Sequence, residues 1–212
     1  TTLGLTMGVA TLIAVMTLVQ GANLYVEQKI ANLGTNVFQV SRLPLIIIDF
    51  DTIIKALRNK HITLDDMRAV AARCAACAGA GATASLTMRV RYDGRELEDV
   101  QVNGHTPAMG DIDTRTVGLG RYFTEQEDLC AANVCVMGAK PAEEFFAGMD
   151  PLGRQVRAGN TEFTVIGVYQ KIGSVLGQEQ DNFLVVPMSA YRRLRGGNFS
   201  VVLYVKAASG GR

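Results

Sequence analysis

The stretch LTMRVRYDGRELEDVQVN, Leu86 to Asn103, contains two β-rich runs, Leu86–Tyr92 and Arg95–Asn103, on either side of Asp93-Gly94. Asp-Gly between such runs is a strong short-range signal for a two-residue hairpin, because both turn residues need positive φ and Gly supplies it without steric cost. A second unit of the same kind follows, with Gln155–Ala158 and Thr161–Val168 around Gly159-Asn160. Two hairpins predict two sheets.

Helical segments alternate with these strands. Thr63-Leu-Asp-Asp opens a helix running to about Arg73, with Thr63 as N-cap and Asp65 and Asp66 near the positive end of the dipole. Thr124 with Glu127 has the spacing of a capping box. An apolar strand, Asn133–Met137, precedes the short helix Pro141–Gly148, with Pro near its first position and Gly near its C-cap. Phe183–Pro187 is a strand, Ser189 can cap a helix through Arg195, and Ser200–Lys206 is a final strand. Leu45–Ile48, inside the apolar run Leu43–Arg58, fits either a strand or a buried loop. The fold class is α+β, with a helix ahead of a mixed α/β domain.

That leading helix has membrane character. Leu3–Ala22, LGLTMGVATLIAVMTLVQGA, carries no charge and as a helix would reach about 30 Å, the thickness of a hydrocarbon core. It is apolar all round, and Gly4, Gly8, Ala10 and Ala14 have the small-residue spacing that lets membrane helices approach closely. A buried core helix and the apolar region of a signal peptide are the competing readings. The first residue is Thr1 and the apolar run begins at once, so the chain is expected to be a piece of something longer.

After Ala22 the pattern becomes an amphipathic stripe of Leu24, Tyr25, Ile30 and Leu33, so the helix is expected to leave the membrane and continue in water as a stalk. Gly34 suits the left-handed position that ends a helix, and Asn36–Ser41 is extended. Ile30, Leu33, Gly34 and Val37 are thus the expected junction between helix and domain, a stop and not a floppy linker. The balance of 21 basic and 20 acidic side chains, net +1 and mixed along the chain, leaves no footprint for nucleic acid.

The apolar helix and the strings LGTNVFQV, ITLDDMRAV, VRYDG, GRYFTEQED, NVCVMG, DPLGRQVR, FTVIGV and VVPMSAYRRL follow one another along nearly the whole chain. In that order and spacing they resemble the first transmembrane helix and periplasmic core domain of MacB-type ABC transporter permeases, a group that includes the lipoprotein-releasing permeases and is related to FtsX. The resemblance implies three parts: a transmembrane and stalk helix, 1–33; a β-α-β porter-like periplasmic subdomain, 34–105 plus 171–212; and a smaller inserted α/β subdomain, 106–170. It also implies a bacterial inner-membrane location with most of the chain in the periplasm. The implied partners are an ABC ATPase domain or subunit, a second permease copy and, for some relatives, a periplasmic adaptor. ATP and Mg would belong to the ATPase. No GxxxxGK[ST] string occurs in these residues, and no cofactor is expected on them. The apolar run 43–58 departs from the Gly-rich connection usual there.

Four cysteines are the remaining candidates for chemistry. Cys74-Ala-Ala-Cys77 and the close pair Cys130 and Cys135 could be weighed as a four-thiolate zinc site or a redox motif. Cys135 alternates with valines in an apolar strand, where a thiol behaves as a small hydrophobe. In the oxidising periplasm that the resemblance implies, disulfides are favoured over metal, with connectivity open among the four. A simpler reading has Cys74 and Cys77 tie off the end of a helix. His61 and His105, the only histidines, are expected on loops or at the surface. The acidic pairs at Asp65-Asp66, Asp111 with Asp113, and Glu125 with Glu127 and Asp128 sit largely at helix starts, where carboxylates are favoured without any catalytic role. Arg192, Arg193 and Arg195 fall in a last helical turn, where the dipole favours cations.

The chain is therefore expected to be a non-enzymatic extracytoplasmic domain that couples ATP-driven motion of membrane helices to efflux or extraction of substrate. The alternative is a membrane-anchored binding or sensing module that transports nothing.

Overall fold

The computed structural model describes residues 7–13, 15–17, 36–42, 59–175 and 178–208. Ile30, Leu33 and Gly34, much of the expected spanning helix and the run 43–58 lie outside these residues. Residues 7–13 and 15–17 are helical, and among the described residues no helix is long and apolar enough to cross a membrane. The domain then runs β1 (Val37–Val40), α1 (Leu64–Arg73), β2 (Cys77–Tyr92), β3 (Arg95–His105), α2 (Met109–Ile112), β4 (Val117–Gly120), α3 (Glu125–Leu129) and β5 (Val134–Met137). It continues with α4 (Ala139–Phe146), β6 (Gln155–Ala158), β7 (Thr161–Tyr169), β8 (Ser174–Val175), β9 (Gln178–Glu179), β10 (Phe183–Pro187), α5 (Met188–Arg195) and β11 (Val202–Ala207).

The first hairpin is the longest pairing in the molecule. Asp93 (φ 47°) and Gly94 (φ 75°) both take positive φ, and β2 runs back against β3 from Tyr92↔Arg95 to Thr83↔His105. Both strands outlast their expected lengths, because β11 lies along the other edge of β2 and β10 runs parallel to β3. The sequence predicts two sheets, one for each hairpin. Instead both hairpins belong to one nine-stranded sheet of order β1-β11-β2-β3-β10-β5-β7-β4, with β6 paired to β7 and also to β2 through Val90↔Ala158 and Arg91↔Arg157. The separate second sheet holds only β8 and β9. Strand β6 closes the circuit β2-β3-β10-β5-β7-β6, and the reason is burial: Val90, Val156 and Ala158 are all fully buried on the face that the closure covers.

The core lies on that face. Val100 and Val102 of β3, Cys135 and Met137 of β5, Phe163 and Val165 of β7, and Leu184 and Val186 of β10 meet there, joined by Phe145, Phe146, Met188 and Tyr191 of the covering helices. Each large buried side chain contributes about 1.5–3 kcal/mol relative to exposure. Segment 106–170 contributes β4 to β7 to the same sheet and Met137, Phe145 and Phe163 to the same core as Ala84, Val102 and Leu184. The base of the Tyr191 side chain packs against Gly104, where an added Cβ would fall 2.4 Å from Tyr191 Cγ, so α5 can approach β3 this closely only over a glycine.

Helix ends follow local chemistry, with two corrections. Thr63 and Asp66 form a reciprocal capping box at α1, and Thr124 and Glu127 form another at α3. Helix α4 starts two residues before Pro141, because Gly138 is the N-cap and donates its N–H to Phe183 O at 2.8 Å. Pro141 is then within the first turn, where its missing N–H leaves no bond unmade. Ser189 does not cap α5 with its side chain: it sits inside the first turn, and its N–H donates to Asp128 Oδ1 at 2.9 Å. The cap comes from α3, 61 residues earlier in the chain.

Candidate functional site

Strand alternation gives β2 and β3 an opposite face that the core does not use. Gln101, Asn103 and His105 of β3 stand beside Thr83 and Ser85 of β2, with register pairs Thr83↔His105, Ser85↔Asn103 and Thr87↔Gln101. Val202 and Tyr204 of β11 and Gln39 of β1 extend the row. Over the β10, β5 and β7 half of the sheet this face is covered by a second apolar cluster of Phe123, Val136, Tyr169, Phe183 and Val185. Over the β1, β11, β2 and β3 half it is an open groove of about 390 Å³.

The wall of the groove is α2 and the turn after it. Met109 and Ile112 pack over Gly81, where an added Cβ would meet Met109 Sδ at 2.7 Å. Asp113 and Arg115 follow. Arg115 Nε donates to Asp113 Oδ1 and Oδ2 at 3.0 and 2.8 Å, and its Nη2 donates to Oδ2 at 2.6 Å. The guanidinium also sits over the rings of Phe183 and Tyr169, 4.5 and 5.3 Å from their centroids. Burial disfavours its charge, but hydrogen bonding and attraction from Asp113 outweigh that and hold Arg115 above its ordinary range.

His105 is a correction to the sequence reading. It is 3% exposed, with Nδ1 in hydrogen-bonding contact with Tyr122 Oη at 3.0 Å. Burial, reinforced by the positive charge of Arg115, pushes its pKa down to about 3, so the imidazole is neutral. The strand carries it there: β3 runs two residues past Asn103, and Thr106 extends the contact by donating its N–H to Ala82 O while its hydroxyl accepts from Ala82 N–H. Burial likewise raises the phenols of Tyr122 and Tyr204.

The cysteines lie away from the groove lining. Cys74, the C-cap of α1, is disulfide-bonded to Cys77, the first residue of β2, with Cα atoms 5.4 Å apart. Cys130 is free and exposed beyond α3, and Cys135 is free and buried in β5, where burial raises its thiol pKa. Among the described residues no group of three or more His, Cys, Asp or Glu side chains is placed to hold a metal ion. The acidic pairs are absorbed by local contacts: Asp65 with Arg68, Asp113 with Arg115, and Glu127 with Arg121. The Arg121 hydrogen bonds outweigh the opposing effect of burial and, with Thr124 at the helix start, hold Glu127 down at about 2. Arg193 donates to Ala131 O and to Asn133 Oδ1, and Arg195 stacks over Phe199. Val37, the described member of the expected junction, begins β1 opposite Lys206 of β11. Sequence reasoning missed the groove residues Gln101 and Asn103. The signal for them is the alternation Val100, Gln101, Val102, Asn103, which sends polar side chains to the face opposite the core.

The arrangement offers hydrogen-bonding side chains in a cleft. It can bind, and its fold has known counterparts. The structure superposes on the periplasmic region of MacB from Actinobacillus actinomycetemcomitans with a TM-score of 0.71 over 87% of this chain and 80% of that one, at 18% identity. It superposes on the extracellular domain of the noncanonic ABC-type transporter YknZ from Gram-positive bacteria with a TM-score of 0.60 at 26% identity, covering 71% and 75%. In sequence it is 29% identical over 204 residues to a macrolide export ATP-binding/permease protein MacB of Syntrophobacter fumaroxidans, covering 95% of this chain. It is 28% identical over 194 residues to a pyoverdine export ATP-binding/permease protein PvdT of Pseudomonas putida, covering 90%. The chain spans 28% of the length of each of these two relatives. The profile of one family, described as the MacB-like periplasmic core domain, matches residues 1–212, and to that family this chain belongs.

Proposed function

We propose that this domain is the extracytoplasmic part of an ABC transporter permease, carried on a membrane-spanning helix that includes Leu3–Ala22, and that it couples ATP hydrolysis in the cytoplasm to export. The observation that supports this reading is where the chain comes into and leaves the sheet. β1 pairs antiparallel with β11 from Val37↔Lys206 to Val40↔Leu203, and Ala207 N–H donates to Asn36 O at 2.8 Å. Both connections therefore emerge side by side at one edge, as suits a domain inserted between two membrane helices that move together. A stiff stalk ending at Gly34 would deliver their motion to β1, because a joint that does not flex passes on displacement and does not absorb it.

On this reading ATP and Mg belong to an ATPase domain or subunit, the domain performs no chemistry of its own, and a second permease copy completes the transporter. A periplasmic adaptor is a further partner in this scheme, and the inner membrane is its location. Export is the direction in the names of the relatives from S. fumaroxidans and P. putida. The test is an insertion of several Gly-Ser residues after Leu33 in the full-length protein. The expected result is ATPase activity that persists while export falls about tenfold or more, the loss of roughly 1.4 kcal/mol of coupling. Unaltered export would sink the lever.

A further inference from the structure

The groove beside α2 is more fully furnished than a bare sheet face requires. Gln39, Thr83, Ser85, Gln101, Asn103 and Tyr204 all line it, and among the described residues their side chains make no hydrogen bond to other protein groups. Asn103 is only 7% exposed, yet its carboxamide is not sealed off, so its donors and acceptor are held at the floor with only the cleft to turn to. A buried polar group is costly unless it is satisfied, and of the six only Asn103 is buried; the other five are half-exposed or exposed and stand around it with their hydrogen-bonding groups turned to the cleft, so the lining can take a partner from outside.

The lining also limits what that partner can be. His105 is neutral, and Arg115 is closed on Asp113, so among the residues that line the cleft no charge is uncompensated. At the rim, outside the lining, Lys206 Nζ donates to the backbone carbonyl of Asp111 at 2.9 Å, which turns the ammonium toward α2 without neutralising it. A strongly anionic or cationic ligand would shed its water for little return. An extended peptide cannot add to this floor as a strand, because the backbone groups of β2, β3 and β11 already pair with their neighbours on both sides. What remains are carboxamides and hydroxyls, each able to donate and accept, with the apolar body of the Tyr204 ring among them. A volume of about 390 Å³ lies within the usual range for a small-molecule site.

We propose that this groove binds a neutral, hydroxyl-rich small molecule of the sugar class. The carboxamides of Gln39, Gln101 and Asn103 and the hydroxyls of Thr83 and Ser85 hydrogen-bond its hydroxyls, and the ring of Tyr204 lies against its less polar face. This goes beyond the transport reading and does not depend on it, since binding at the groove is measured without turnover.

The experiment is saturation-transfer NMR on the full-length protein in nanodiscs, with maltose, gluconate and glucosamine as neutral, anionic and cationic probes. Maltose is expected to give transfer, with the two charged probes about tenfold weaker. Ser85→Trp fills the cleft from an exposed position and Gln101→Ala removes one exposed carboxamide. Each is expected to weaken maltose binding, by about tenfold or more for the first and severalfold for the second, the size of one or two lost hydrogen bonds. Absence of transfer from all three probes, stronger transfer from gluconate or glucosamine, or maltose binding unchanged in both variants would each overturn the assignment. ATP hydrolysis and export measured on the same preparations keep a failure of the sugar site apart from a failure of the lever.

Discussion

The two faces of the β2–β3 hairpin are built on one backbone and have opposite fates. On one side Ala82, Ala84, Val90, Val100 and Val102 are buried under helices and the closing strand β6. On the other, Thr83, Ser85, Gln101 and Asn103 floor a cleft that none of the described residues fills. The difference teaches that the same ladder of backbone hydrogen bonds carries stability on one face and keeps the other for contact. Side-chain period two enforces the separation, since a slip of one residue would exchange the two sets.

The contrast can be broken most severely from the apolar side. Leu184 is fully buried and stands beside Val102 in the parallel β10–β3 pair, so Leu184→Ala should cost about 2–5 kcal/mol, read as a drop in the urea midpoint of the domain. A loss below about 1 kcal/mol would mean that the site collapses to fill its own cavity.

A smaller effect comes from His105, which among the described lining residues is the one both buried and titratable. Its folded pKa of about 3 lies below the ordinary 6.5, so the unfolded chain takes up a proton first as pH falls. Its contribution is therefore complete above pH 6.5 and is lost progressively as pH drops from there toward 3, at up to about 1.4 kcal/mol per pH unit. His105→Gln should flatten the dependence of stability on pH across that window. An unchanged slope would show that other groups set it.

The smallest effect is expected on the open face itself. Gln101→Val, at an exposed position, should shift stability by no more than about 0.5 kcal/mol in either direction. A large loss there would show that the polar row holds the fold together as well as facing the cleft, and the contrast between the faces would weaken.

How much of this could be read beforehand depended on distance along the chain. The Asp93-Gly94 turn, the N-cap at Thr63 and the box at Thr124 are settled by residues within four positions of each other and are legible in local pattern, whereas the return bond from Asp66 that makes Thr63 a box as well is seen only in the structure. The cap on α5 comes from Asp128 and not from Ser189, because a carboxylate brought in from α3 reaches the N–H first. Closure of the circuit through Val90↔Ala158 joins segments 68 residues apart, and no turn signal announces it. His105 was misplaced for the same reason: its burial follows from α2 folding over β3 and from Thr106 pairing with Ala82, while its own neighbours in sequence look like a loop. The groove was half legible. Alternation assigns Gln101 and Asn103 to a polar face, but whether that face is open or covered is decided by α2 and by the cluster around Phe183 and Val185.

The pairing of β1 with β11 also sets how the domain tolerates load. Asn36 and Ala207 lie together at one end of an antiparallel ladder, so a pull that spreads the two connections apart stresses the first hydrogen bond alone and then the next, like a zipper. A pull that draws both connections the same way leaves every rung unstressed and moves the sheet as a block. The edge is strong for shared displacement and weak against separation.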